Sequence, residues 1–212
     1  MIEIEYILKF KSDFHFGSGS GISGVIDCGL KYNSNGIPEI SGKTIKGILR
    51  DSVENVILLK SSKLSIVEEI FGEEGESNTK FRFSTPTLEK QYEEEILKSK
   101  GLQKNISGIE FHNRINRKSH ITETGALFSR ETGPGSFEYA GTISQIKECS
   151  NEDLNKYLYF LICGIRFVTH IGGNRRRGKG LARFEIEKIY DYDRDREISI
   201  DYKEVIEKGI EE

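Results

Sequence analysis

The chain has 212 residues, with 31 Lys and Arg against 34 Asp and Glu and a formal net charge of -3, which excludes a globally basic nucleic-acid binder and makes any basic surface local. This length suits one domain, 1–212, able to bury roughly 70% of its unfolded surface. Three cysteines, Cys28, Cys149 and Cys163, without CxxC spacing exclude a disulfide framework, and every apolar run is too short to span a bilayer. The chain opens on a strand pattern and not on a charged leader, so the expectation is a soluble protein of the reducing cytoplasm.

In chain order, Ile2, Ile4, Tyr6, Leu8 and Phe10 alternate with mostly charged residues, predicting a strand over 2–11. A glycine-rich stretch follows, and its Gly19, Gly21 and Gly24 formally satisfy the dinucleotide pattern GxGxxG. That pattern requires a helix next, whereas Val25 to Leu30 reads as extended and ends in a turn at 33–36. From Ser41-Gly42, residues Ile45, Ile48, Leu49, Val53, Val56 and Ile57 recur at helical spacing, with Lys43, Lys46 and Arg50 on the first turns. A helix start with unpaired N–H groups and added lysines can seat a phosphate; the same pattern also suits an amphipathic helix with lysines on its wet face. Ser41-Gly42-Lys43-Thr44 resembles the end of a Walker A motif, but the spacing would put its first glycine at Ile37.

Residues 66–79, acidic through Glu68, Glu69, Glu73, Glu74 and Glu76, read as a helix end and an exposed loop. Glu93 to Glu95 and the C-terminal Glu204, Glu207, Glu211 and Glu212 hold other acids apart from the basic clusters. Phe81 and Phe83 suggest a short strand before a turn, and 88–100 a charged, solvated helix or flexible segment. The pattern weakens over 105–135, where His112, Arg114, Arg117, Lys118, His120 and Arg130 gather; a long irregular basic segment in a compact domain is disordered or functional. Phe137, Tyr139 and Ile143 resume a strand. A helix is then predicted over 151–168, capped by Ser150 or Asn151, and a strand over 181–190. Both long strands are expected in one central antiparallel sheet.

Between that helix and strand lies His170-Ile171-Gly172-Gly173-Asn174-Arg175-Arg176-Arg177-Gly178-Lys179-Gly180. Its glycines allow close backbone approach, and its arginines and Lys179 offer the charge an anionic polymer would neutralise. A charge run of this kind is also what a solvated surface loop carries. The four histidines, His15, His112, His120 and His170, occur singly and not at i, i+4 ligand spacing, which disfavours a preformed metal cage.

The order of elements, with its motifs, resembles the RAMP superfamily of CRISPR effector proteins, most closely the backbone subunit of type III complexes. The resemblance rests on His15-Phe16-Gly17-Ser18-Gly19, the Gly24-Val25-Ile26-Asp27 turn, Ile40-Ser41-Gly42-Lys43-Thr44-Ile45-Lys46-Gly47-Ile48-Leu49-Arg50, Arg117-Lys118 with Gly125 to Phe128, Glu131 and Phe137, and the glycine-arginine loop at 172–180. It implies an α+β, modified ferredoxin-like (RNA-recognition-type) fold with 105–135 as an inserted thumb that kinks a guide RNA. It also implies RNA contacts from Ser41, Lys43, Lys46, Arg50, Arg117, Lys118, Gly173, Asn174, Arg175, Arg176, Arg177 and Lys179. The implied partners are a guide CRISPR RNA, a complementary target RNA and other effector subunits, including copies or paralogues of this chain, with no membrane. Asp27 occupies the position of the family's cleaving aspartate, which implies a metal-dependent endoribonuclease using a divalent ion, Mg or Mn, within the assembled complex.

Three other functions fit parts of the pattern: a non-cleaving RAMP scaffold in which Asp27 is only a turn residue, a repeat-RNA processing endonuclease using His15 as base, and a nucleotide-binding enzyme built on 19–24 or 41–44. The failed motif contexts count against the last, and the basic 105–135 stretch is hard to place in the second.

Overall fold

The computed structural model describes residues 1–19, 21, 25–60, 64–73 and 79–198. Gly24 of the expected 24–27 turn, and Glu74, Glu76, Glu204, Glu207, Glu211 and Glu212, lie outside the described residues.

The alternation at the N-terminus forms β1 (Ile2–Phe10), with every even residue buried. Helix α1 (Gly42–Leu59) follows after the glycine-rich stretch, then α2 (Ser65–Phe71), β2 (Phe81–Phe83), β3 (Thr87–Leu88), α3 (Lys90–Lys98) and α4 (Lys100–Lys104). The chain continues through β4 (Gly108–His112), β5 (Phe128–Thr132), β6 (Glu138–Gln145), α5 (Asn151–Phe167), β7 (Ala182–Asp191) and β8 (Arg196–Glu197). The main sheet runs β2-β6-β1-β7-β8, with β3 also on β6 and all pairings antiparallel. Counting only β1, β2, β6 and β7, with β1 and β6 central, this is the split βαβ order of a ferredoxin-like fold. The expected fold class therefore stands, and the two long strands predicted to share a sheet are direct neighbours.

The even face of β1 meets α1 and α5. Ile45, Leu49, Val53 and Ile57 of α1 and Leu161 and Ile165 of α5 join Ile4, Tyr6, Leu8, Tyr139 and Ile143 in one core. The two helices touch closely at Gly164, where a Cβ would lie 2.5 Å from Val53 Cγ2, and the Ser52 hydroxyl donates to the Gly164 carbonyl at 2.6 Å. α5 starts where its cap was expected, with Ser150 Oγ accepting from Asp153 N–H at 3.1 Å.

Two expectations become more definite. Residues 88–100, left open between helix and flexible segment, contain α3, which seats Ile96 in the core. Residues 105–135 are irregular only in part: β4 and β5 form a separate antiparallel ribbon, and 113–127 between them hold no strand beyond an isolated Ile115–Thr122 bridge flanking a turn at 116–120. The ribbon is fixed to the main body by the Phe14–Gly133 bridge, and Cys28 adds alongside Arg130 in parallel.

Candidate nucleic-acid interface

The arginine loop and the first turn of α1 lie at one end of the main sheet, the end at which β1 finishes and β6 and β7 begin. The arginine loop is built there by backbone pairing with the N-terminal segment. Gly180 N–H donates to Asp13 O at 2.8 Å, Gly173 N–H to His15 O at 2.9 Å, and Ile171 N–H to Gly180 O at 2.8 Å. Gly180 has φ +72° and its absent Cβ would sit 1.9 Å from Ile171 O, so only glycine closes this loop base. Asn174 and Gly178, both left-handed, bracket a single 3-10 turn, Arg175–Arg177, whose three arginines are exposed.

Lys179 differs from its neighbours. Its ammonium is bound by Glu110 of β4 and by Asp13 at 3.2 Å. Burial alone pulls its pKa down, but the hydrogen bonds to Glu110 and Asp13 more than reverse this and leave it above the ordinary lysine value. Lys179 thus ties the loop to the ribbon and to the end of β1 with its charge already neutralised. A second tie runs beside it: Arg177 meets His112 Nδ1 at 3.5 Å, and the His112 ring lies 27° from coplanar with Phe128 at 5.1 Å. The loop and ribbon border an open hollow of about 360 Å³ lined by Phe128, Arg130, Asn174, Arg175, Arg176 and Arg177.

The helix start at Ser41 is organised differently from an open phosphate seat. Ser41 Oγ caps α1 by accepting Thr44 N–H at 3.2 Å, and Gly42 N–H donates to Thr85 Oγ1 at 3.2 Å. Gly42 is buried against the end of β2, where a Cβ would lie 2.3 Å from Phe83 O. Lys43 projects into solvent and Lys46 is half-buried. Arg50 is engaged internally, with Nε on Glu54 at 3.2 Å and a donor on Gly72 O at 3.0 Å. Arg117 and Lys118 are exposed at the ribbon's far turn, where Asn116 Oδ1 accepts the N–H groups of Lys118 at 2.9 Å and Ser119 at 3.2 Å.

Asp27 is exposed, yet its carboxylate is oriented by β5. Oδ2 accepts Ser129 N–H at 2.7 Å and lies 3.2 Å from Ser129 Oγ. The two groups that could have joined it chemically are occupied elsewhere. Glu131 accepts from Leu30 N–H at 2.9 Å, Ser107 Oγ at 2.7 Å and the Tyr32 hydroxyl. Burial first, and that hydrogen bond second, hold the Tyr32 phenol protonated well above its usual range. His15, buried beneath the arginine loop, is hydrogen-bonded through Nδ1 to Glu131 O at 2.7 Å. Among the described residues no group of three or more His, Cys, Asp and Glu could hold a metal ion.

The face of the main sheet opposite the helices carries paired charges where RNA-recognition modules place stacking aromatics. Lys9 sits on Glu185 at 2.9 Å and near Glu138 at 3.9 Å, and Arg183 on Glu185 at 2.8 Å. Asp13, Glu110, Phe128 and Arg130 were not singled out as site residues in the sequence; Arg130 and His112 stood out only as members of a basic stretch. No local signal marks them, since each acquires its role from a partner far along the chain.

The family model for the RAMP superfamily matches residues 7–185. Among curated proteins no match is found. Solved structures of similar fold include a chain of the type III-B Cmr-beta complex in its apo state, with TM-score 0.67, 14% identity, and coverage of 87% of this chain and 97% of that one. A chain of the same complex bound to cognate target RNA gives TM-score 0.66 and 14% identity over 87% of this chain and 96% of that one.

Proposed function

This chain belongs to the RAMP superfamily, and we propose that within it the protein is a guide-RNA-binding backbone subunit of a type III CRISPR effector complex, acting on complementary target RNA beside copies or paralogues of itself. The observation that carries this reading is the loop at 170–180. Three exposed arginines are held by a fixed backbone against a basic-walled hollow, at the end of the sheet where α1 also begins. Such a surface reads sugar-phosphate backbone without reading sequence, which suits a protein whose specificity comes from guide pairing. Arg175, Arg176 and Arg177 bind phosphates, Lys43 and Lys46 add weaker charge at the helix start, and Arg117 and Lys118 reach RNA from the ribbon turn. Changing Arg175, Arg176 and Arg177 together to alanine should weaken RNA binding with little sequence dependence and flatten the log-affinity against log-salt slope by about 2, at roughly 0.7 per lost contact. An unchanged slope in a folded variant would make the loop ordinary solvated surface.

For cleavage, RNA supplies its own nucleophile in the 2'-hydroxyl, so the protein's part is to hold the phosphodiester in line. Asp27 is the residue we assign to that centre, its carboxylate aimed by the two Ser129 hydrogen bonds. A single exposed carboxylate fits a Mg or Mn ion, which takes few protein ligands and completes its shell with water and phosphate oxygens, and whose contribution is to neutralise charge at the scissile phosphate. The same hydrogen bonds favour a second reading, in which Asp27 only stitches its turn to β5 and the subunit is a non-cleaving scaffold. Asp27→Asn in the assembled complex separates the two: guide and target binding should persist while metal-dependent cutting stops. Cutting at the parent rate would make this protein a scaffold.

A further inference from the structure

Phe128 and Arg130 belong to none of the RNA contacts proposed above, yet both open on the arginine loop. Four of the six residues lining the hollow there are arginines, and none is acidic. Four arginines bordering one space with no acid among them favour an anion there. Arg130 has an obvious neutralising neighbour in Glu110, its direct cross-strand partner in the ribbon. That carboxylate is already taken by Lys179 on one oxygen and faces His112 Nε2 at 3.6 Å with the other. Among the described residues Arg130 therefore forms no ion pair, and its buried Nε–H has no acceptor. A buried donor without a partner marks the place where a ligand atom is missing. Beside it Phe128 supplies an aromatic wall, stacked on the His112 ring and with the Arg130 guanidinium 6.0 Å from its ring centroid. The hollow, about 360 Å³, lies within the roughly 300–1,000 Å³ range of small-molecule sites, a size that admits one nucleotide.

We propose that this hollow holds a single nucleotide of single-stranded RNA, its phosphate on Arg130 and the arginine loop and its base against Phe128. The proposal rests on the RNA-binding reading given above and adds the ribbon as the second wall of the site. Charge alone would hold single and double strands alike. The Phe128 wall can be used only by a base released from pairing and stacking, so it gives the site a preference for single strands.

The test uses the full chain, a short fluorescein-labelled single-stranded RNA and the same strand annealed to its complement, with affinities taken from anisotropy over a salt series. Phe128→Leu should weaken single-strand binding by about 5- to 100-fold, leave the salt slope unchanged and abolish the preference over duplex, with Phe128→Trp restoring it. Arg130→Gln should flatten the slope by roughly 0.7, and it decides the matter if circular dichroism shows that Phe128→Leu does not fold. Parent-like binding by both variants, while Arg175 to Arg177 still govern the slope, would overturn this proposal alone. A parent chain that binds no RNA at any salt would overturn it together with the RNA-binding reading.

Discussion

Replacing Lys179 by methionine removes the ammonium while keeping an unbranched side chain of similar reach, and it separates two roles a basic loop residue can have. In the folded protein this ammonium lies between Glu110 and Asp13, with only 19% of its side chain exposed. Exposed pairs are worth about 0.2–1 kcal/mol, and removing one partner of a buried pair costs about 3–5 kcal/mol. A partly buried lysine with two acids falls between them, so about 2 kcal/mol should be lost. For a chain of this size that is a fall in Tm of about 4–8 °C. RNA affinity should drop only several-fold, because the backbone bonds from Gly173 to His15 and from Gly180 to Asp13 still hold the loop. The salt slope should not move, since a lysine neutralised inside the protein displaces no counterions from RNA. Thermal denaturation followed by circular dichroism and anisotropy over a salt series read the two effects separately. A slope flattened by roughly 0.7 with an unmoved melting curve would show that Lys179 grips phosphate and would refute its role as a tie.

The same contact sets a pH dependence. The Lys179 pKa is raised in the folded state, so its contribution is full below the ordinary value of 10.5 and is lost as pH rises through the raised one; the parent's advantage in urea midpoint over Lys179→Met should be constant near neutral pH and shrink at strongly alkaline pH, and an advantage that does not shrink there would refute the contact as its source. Tyr6→Phe should be neutral or stabilising by about 1 kcal/mol, because the Tyr6 hydroxyl is buried, packed on Gly141 and, among the described residues, without a hydrogen-bond partner; a clear loss in urea midpoint would reveal a partner for it. Gly180→Ala should cost about 2–3 kcal/mol through its positive φ and the contact with Ile171 O, and a parent-like urea curve would show that the loop base can rearrange.

The long elements were legible because their burial is periodic along the chain. β1 and β7 alternate cleanly, and α1 and α5 carry apolar stripes behind serine caps. The ribbon was not legible for a physical reason. Its apolar residues Ile109 and Phe111 do alternate, but they face solvent, at 46% and 67% exposure, and its strands are separated by a long connection. The arginine loop was recognisable from composition alone. What composition could not divide was its charge: Arg175 to Arg177 are exposed, while Lys179, two residues on, is bound by acids contributed from Asp13 and from Glu110. Likewise the helix start looked open in sequence, yet Gly42 N–H is met by Thr85 from beyond β2.

The bond between Asp13 and Lys179 spans 166 positions, and the loop base is completed only when Gly180 and Leu181 pair back to the N-terminal segment. Synthesis proceeds at about 5–20 residues per second, and the ribbon ends at Thr132, so the nascent chain carries its first strand and then its ribbon before the segment that closes them has been made. The 170–180 loop takes its place at the basic end of the sheet only once β7 follows it. On the RNA-binding reading proposed above, a chain stopped before Gly180 lacks the closed loop and should bind RNA weakly.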